Sequence, residues 1–426
     1  MFYRLLVYLR KPSNALWVMP TVGALLAVLI AMAASWVNVF VPPSFLPDVD
    51  LDTLEGLLDV IASSMLAVST FSLSIMVSAF ASASNSATPR ATEVVMGDDN
   101  TRMAIASFIS AFIYAIIAKI ALGLGYYGQN GRFALFIATI FVLIYLIVTL
   151  IRWVHTLSQL GRLENTLDKI HKASEAPLYD FRVQPNLGAA WSGQLDQQAY
   201  QVKINRSGFL THIDMAGLQR RAEENNWYVH IAVRPGDLIM PDTVVAYANL
   251  QAEHYAQLEQ EDNQLKVHEL AHCFVLDSAR TYAQDAGWGV IVLSEAAQRA
   301  LSAAINDPGT AIRVMSSFLA LFVDTQPSQE DIDNAPTYDR LSIQELDCGQ
   351  WIEEGFMPIV RDGAALLEVN LVLQKVLSGI ARNAPEAAMQ ASAKKVACLA
   401  LERAEQTLAF ESDVERLRAK HKSLFA

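Results

Sequence analysis

Apolar residues dominate the first 155 positions in long blocks with short polar breaks. Beyond them they fall into shorter, periodic stretches. The blocks at about Leu16–Val37, Leu58–Ser82, Met103–Tyr127 and Phe133–His155 are each long enough for a helix to cross the ~30 Å hydrocarbon core of a bilayer. The first is longer than a signal-peptide core and three more follow it, so it reads as an anchor. Only Gly128–Arg132 joins the last two, which predicts an antiparallel hairpin.

The second block carries a row of hydroxyls. Thr70, Ser74, Ser78, Ser82 and Ser86 recur every fourth residue, which places them on one face of a helix. Two readings follow. Small residues at this spacing let helices approach closely, and their hydroxyls can bond back to the preceding turn. Alternatively, copies of the helix line a hydrated path, which requires a homo-oligomer because four helices are too few to enclose one. Lys119 is the charge within the third block. Its long stem can reach the interface; otherwise it lines a vestibule or neutralises a carboxylate such as Asp59, at similar depth on a helix running the other way.

Past the fourth block the pattern changes. Residues 156–176 read as a charged helix, and Pro177 and Pro185 mark a linker. Alternation at Tyr200–Ile204 and Phe209–Ile213 predicts strands, and Met215–Asn225 predicts a helix. Trp227–Val233 and Thr243–Ala248 read as two strands around the Arg234-Pro235-Gly236-Asp237 turn. From Gly287 onward the periodicity is helical. Asn306 or Asp307 is suited to cap a helix opened by Pro308. The fold class expected is a membrane α-helical region of four spans plus an α+β cytoplasmic domain. The divisions are 1–157 for the spans, 158–198 for a connector, 199–277 for a strand-rich module and 278–426 for a helical module.

Charge sets the orientation. Basic residues cluster at Arg4, Arg10 and Lys11, at Arg90 and Arg102, and at Arg152, Arg162, Lys169 and Lys172, whereas the other two loops hold Arg132 alone. The basic side faces the cytoplasm, so both termini are expected there, in an inner (plasma) membrane. Tyr126, Tyr127 and Trp153 fall where an interfacial aromatic belt is expected. Residues 1–172 carry 11 Lys/Arg and 10 Asp/Glu, against 21 and 34 in the remainder, so the second half is acidic. No basic run suggests nucleic acid. The expected partners are the lipid bilayer, further copies of the chain, and small cations drawn to the acidic body.

Candidate chemistry is sparse. Cys273, Cys348 and Cys398 form no CxxC pair. His268-Glu269-Leu270-Ala271-His272 matches HExxH, which on a helix turns two histidines to one face for zinc, with Glu269 as base and Glu295 in range as a third ligand. Against this, the segment runs straight into the strand-like Cys273-Phe274-Val275-Leu276, and the spans hold no second His/Asp/Glu cluster. Apart from such a zinc, no cofactor is expected. Arg280, Asp285, Asn306 and Asp307 form a second group. They read either as a small-ligand or cation site, or as an ion pair, Arg280–Asp285 or Arg280–Asp307, locking strands to helices.

Arg280-Thr281-x-x-Gln284-Asp285 followed by Arg299-Ala300-Leu301-Ser302-x-x-Ile305-Asn306-Asp307-Pro308-x-Thr310-Ala311 resembles a bacterial family of predicted membrane proteins, domain-of-unknown-function family 2254. The likeness extends to the serine-rich second span ending at Ala87-Thr88-Pro89-Arg90, to Ser207-Gly208-Phe209 and to Arg234–Asp237. It covers about Leu16 to Ala381. Two positions depart from the family pattern: Ala303 where proline is usual, and Gly309 after Pro308. The resemblance implies membrane placement and brings no activity. Three functions remain open: a homo-oligomeric channel or transporter-like pore lined by the second span, a membrane-tethered sensor or scaffold, and a zinc metalloprotease. An enzyme is the less favoured class.

Overall fold

The computed structural model describes residues 12–34, 42, 46–96, 99–197, 199–249 and 269–425. They form two compact units, Met1–Thr166 and Leu167–Ala426.

The first unit holds α1 (Pro12–Ala33), α2 (Leu51–Ser86), the short α3 (Ala91–Met96), α4 (Asp99–Gly123) and α5 (Gln129–Gln159). Among the described residues α2, α4 and α5 are long and apolar enough to cross a membrane. The apolar part of α1, Pro20–Ala33, is shorter. α4 sits centrally, against α1, α2 and α5. Its buried positions Ala104, Phe108, Ala111, Ala115, Ala118 and Leu122 alternate four and three apart, the stripe of a helix packed along its length. Alanine at four of them lets neighbours come close. At Gly23 of α1 a β-carbon would lie 2.2 Å from Ser110 Oγ of α4, so the two helices touch there through a missing side chain. α2 answers with Leu54, Leu58, Ile61, Ala62 and Met65.

The outward faces are apolar. Leu25, Leu29, Val60, Phe71, Val77, Phe141 and Ile151 are exposed on the single chain. So broad an apolar surface is what a helix bundle presents to lipid, and a soluble protein would bury it. Tyr127 and Trp153 depart from the expected aromatic belt. Both are buried, Tyr127 with its hydroxyl donating to Ala31 O at 2.7 Å, because the bundle closes over them. Tyr126 stays 45% exposed.

α5 ends at Leu160, and Gly161 (φ 77°) turns the chain into α6 (Leu163–Val183). Pro177 lies inside this helix and does not begin a linker. Leu167, Ile170, Ser174 and Leu178 bury one continuous face, and that packing outweighs the backbone hydrogen bond the proline removes.

The second unit holds two sheets. β1 (Tyr200–Lys203), β5 (Val244–Asn249) and β3 (Tyr228–Ile231) pair antiparallel, and β7 (Leu341–Ile343) adds to β3 in parallel. β2 (Gly208–Ile213) pairs with β4 (Leu238–Ile239) on one side and β6 (Phe274–Asp277) on the other. β3 and β5 are therefore partners as expected. The chain between them detours through β4 into the other sheet, so they are not a simple hairpin. α7 (Met215–Glu224) follows β2, capped by Asp214, whose carboxylate accepts from Gly217 N.

The remaining helices are α8 (Trp288–Leu301), α9 (Pro308–Asp324), the short α10 (Gln329–Asp333), α11 (Gly349–Asp362), α12 (Leu367–Asn383), α13 (Ala387–Thr407) and α14 (Glu411–Phe425). α8 packs on α9 and α11, α9 on α12, and α13 on α11 and α12. Phe318 and Phe356 meet at 5.0 Å between ring centres in this layer. Gly355 lets α11 press in: a β-carbon there would stand 2.7 Å from Val290 Cγ1.

Candidate functional site

The hydroxyl row on α2 divides into three. Thr70 is exposed, but its Oγ1 donates back to Leu66 O at 3.1 Å and Ala67 O at 2.9 Å. Ser82 and Ser86 are half-buried, with Ser82 Oγ donating to Gly161 O at 3.0 Å and Ser86 Oγ to Ser82 O at 2.7 Å. Ser74 and Ser78 are exposed on the single chain, and neither hydroxyl has a hydrogen-bond partner among the described residues. Two hydroxyls outside the predicted row, Ser69 and Ser72, have buried oxygens without a partner among the described residues.

Lys119 of α4 pairs with Asp59 of α2, Nζ to Oδ1 at 2.5 Å, with both side chains partly exposed on the bundle. The contact with Asp59 is the one the sequence reading named.

In the second unit the Arg280–Asp285 motif meets the Arg234–Asp237 turn. Arg280 clasps Asp285 with two bonds, Nε to Oδ2 at 2.7 Å and Nη2 to Oδ1 at 2.9 Å. Asp285 is 4% exposed and also accepts from Trp288 N at 3.1 Å. Burial pushes the Asp285 carboxyl above its ordinary range, while Arg280 and the Trp288 and Gly287 amides pull it back. The Arg234–Asp237 turn sits directly on this pair. At Gly236 (φ 102°) a β-carbon would lie 2.6 Å from Asp285 Oδ2. Glycine is required twice over, for the left-handed backbone and for the close approach.

Arg234 does more than turn the chain. It is buried, and its guanidinium donates to Gln344 O at 2.7 Å, Pro185 O at 2.7 Å and Asn186 Oδ1 at 3.2 Å. It thereby ties the turn to the segments after α6 and after β7. Asp237 Oδ2 accepts from Arg234 N at 2.8 Å.

Asn306 and Asp307 serve a different place. Asp307 caps α9, accepting from Thr310 N at 3.1 Å and Thr310 Oγ1 at 2.6 Å, and these bonds hold its carboxyl below the ordinary range. Asn306 takes a left-handed turn (φ 50°) just before it. Of the two ion pairs expected, Arg280–Asp285 is present, and none joins Asp307 to Arg280 among the described residues.

Arg280, Asp285 and the turn form part of the wall of a cavity of ≈ 330 Å³, closed further by Asp180, Phe181, Trp351 and Glu354. The last four residues belong to no motif. They reach the cavity from α6 and α11, and only the packing of those helices onto the turn brings them there.

His268 lies outside the described residues. Glu269 and His272 are exposed, and the helical turn ends within residues 271–273 before β6 begins. Cys273 is buried, its sulfur accepting from Arg221 Nη1 at 3.2 Å. Among the described residues no group of three His, Cys, Asp or Glu side chains is placed to hold a metal.

With α2's serines, the Arg-Pro-Gly-Asp turn and the Arg280–Asp285 pair in view, the comparison with known proteins is direct. The profile described as "Predicted membrane protein (DUF2254)" matches residues 13–379. The chain belongs to this family. The match spans the apolar helices and both motif-bearing segments of the second unit, so DUF2254 unites a membrane region with the cavity-bearing body in one chain. No curated protein and no solved structure matches.

Proposed function

We propose that this DUF2254 protein is a homo-oligomeric channel or transporter-like pore of a bacterial inner membrane, with its termini and acidic body in the cytoplasm. Copies of α2 line a narrow path, and the body regulates it. One observation carries the reading. Ser74 and Ser78 stand exposed on a membrane helix with no hydrogen bond within the described chain. A hydroxyl left unpaired in hydrocarbon is costly. Water or a sister subunit removes that cost. Thr70 bonds to its own helix and can face either environment, while Ser82 and Ser86 anchor the cytoplasmic end of the same row.

Hydroxyl lining without a charged ring favours weak ion selectivity, biased toward small cations by the acidic body. Reconstituted full-length protein should pass cations across liposomes, and Ser78→Leu should cut the flux at least tenfold while the oligomer persists on size exclusion. Absence of flux in the parent protein, or flux unchanged by Ser78→Leu, overturns the reading. The second reading is a membrane-tethered sensor without transport. It is favoured by the cavity in the second unit.

A further inference from the structure

The cavity beside the Arg280–Asp285 pair is built with unequal charge. Its two arginines are committed: Arg280 to Asp285, and Arg234 to carbonyls behind the wall. Asp285 and Asp237 are likewise used within the protein. Two carboxylates on the wall are not. Asp180 of α6 and Glu354 of α11 have no ion-pair or side-chain hydrogen-bond partner among the described residues. Desolvation raises both above the ordinary carboxylate range, and for Glu354 the neighbouring Asp285 adds to it while Arg280 opposes. Both carboxylates are held on the cavity wall at a cost in desolvation, which a bound cation would offset.

A second, independent feature lies on the same wall. Trp351 is only 6% exposed, yet its indole N–H has no hydrogen-bond partner among the described residues. The nitrogen is not sealed away, since it is absent from the fully enclosed polar atoms that lack partners. Gly287 makes room for it: a β-carbon at that position would stand 2.7 Å from Trp351 Nε1. Phe181 meets the Trp351 ring edge to face at 4.9 Å, so part of the cavity lining is aromatic. A buried indole N–H ordinarily finds an acceptor. Here the cavity is where one can come from.

We propose that this cavity binds a small organic ammonium compound that also carries an oxygen acceptor, of the amino-alcohol or amino-acid class. The ammonium group donates to Asp180 and Glu354. The alkyl part lies on Phe181 and Trp351, where a cation beside an aromatic face is also favourable. The acceptor oxygen takes the Trp351 N–H. The volume, ≈ 330 Å³, is at the lower end of small-molecule sites and too small for a peptide. This site is independent of the α2 pathway, and its test does not involve transport.

The probe is 4-aminobutan-1-ol, titrated by saturation-transfer NMR into the full chain in detergent. Butane-1,4-diol, 1-butylamine and magnesium chloride are the comparisons. A compound with so few heavy atoms reaches a dissociation constant of about 1 mM in a good site. The expected order is aminobutanol at least tenfold tighter than the diol and several-fold tighter than butylamine. Glu354→Gln and Asp180→Asn together should weaken it at least tenfold, and Trp351→Phe should abolish its advantage over butylamine. Asp180 and Glu354 make no ion pair or side-chain hydrogen bond among the described residues and their raised carboxyls weaken the fold at neutral pH, so those variants should melt at or above the parent. They carry the test if Trp351→Phe does not fold. Aminobutanol no tighter than the diol, binding unaffected by the carboxylate substitutions, or complete displacement by magnesium would each overturn the proposal.

Discussion

Lys119 meets Asp59 at 2.5 Å, ammonium to carboxylate, between α4 and α2. The pair stands near the start of one membrane helix and the end of the other, and both side chains remain partly exposed. In water such a contact is worth little. Beside hydrocarbon each charge alone is a liability, by about 2.5–3.5 kcal/mol at the midplane and less toward the ends. Lys119→Met should therefore destabilise the detergent-solubilised protein by up to about 2 kcal/mol. The exchange Asp59→Lys with Lys119→Asp should recover most of the melting temperature. Equal loss in the exchange variant would show that the pair is incidental.

Arg182 carries the heavier structural charge. It grips Glu386 through Nε at 2.8 Å and Nη2 at 2.9 Å, and donates to Phe322 O at 2.8 Å and to Thr325 O. The α6 helix is thereby joined to the end of α9 and to the residue that opens α13. The arginine side chain is 3% exposed and the glutamate 19%. Removing one partner of such a pair strands the other, at about 3–5 kcal/mol. Arg182→Ala should lower the melting temperature by many degrees. Arg182→Lys should recover only part of it, because an ammonium cannot fork onto a carboxylate and two carbonyls at once. A lysine variant as stable as the parent would refute the bidentate account.

Several of these features were legible in the sequence, for identifiable reasons. The hydroxyl spacing on α2 is a local pattern, and so is the cap before Pro308. The Lys119–Asp59 contact was readable because charges are rare in spans and antiparallel helices fix depth. β7 was missed: it is three residues long, and its partner β3 lies more than a hundred residues earlier. β4 is shorter still. Pro177 looked like a break, because propensity is local while the buried face of α6 is tertiary. The cavity divides the same way. Its Arg280–Asp285 pair and Gly236 lie in motifs. Asp180, Trp351 and Glu354 sit on ordinary-looking helices, and nothing in their spacing announces a shared wall.

The three cysteines should separate by reactivity. Cys398 is exposed on α13, whereas Cys273 and Cys348 are buried. Burial raises the Cys348 thiol to about 11, with Glu386 and Asp347 adding to the effect. Thiolate is the reactive form, so at neutral pH Cys348 is suppressed by both access and ionisation. Iodoacetamide at pH 7.5 should label the folded protein at Cys398 alone, and Cys398→Ser should remove the label until denaturant is added. Mass spectrometry of the peptides reads the outcome directly. Rapid labelling of Cys348 in the native state would contradict its placement.

His212, on β2, should make the second unit sensitive to acid. Desolvation lowers its imidazole to about 4, against a smaller opposing pull from Asp214. Its Nε2 lies 3.3 Å from Gln284 Nε2, and Gln284 also accepts from Ile213 N, so protonation would disturb the β2 edge beside the Gln284-Asp285 motif. The sign follows from proton uptake. Between pH 6.5 and 4 the unfolded chain holds more proton at this site than the native one, so stability falls as pH drops through that window. The loss approaches about 3 kcal/mol at its lower end. Asp180, Asp285 and Glu354 have raised carboxyls and work the opposite way, gaining stability as pH falls. A bare pH profile therefore mixes both signs, and the informative quantity is a difference. His212→Gln, compared with the parent by thermal melting at pH 7.5, 6, 5 and 4, should lose stability at neutral pH yet decline less steeply toward pH 4. Parallel profiles would mean that the imidazole titrates in the native protein much as it does in the unfolded chain.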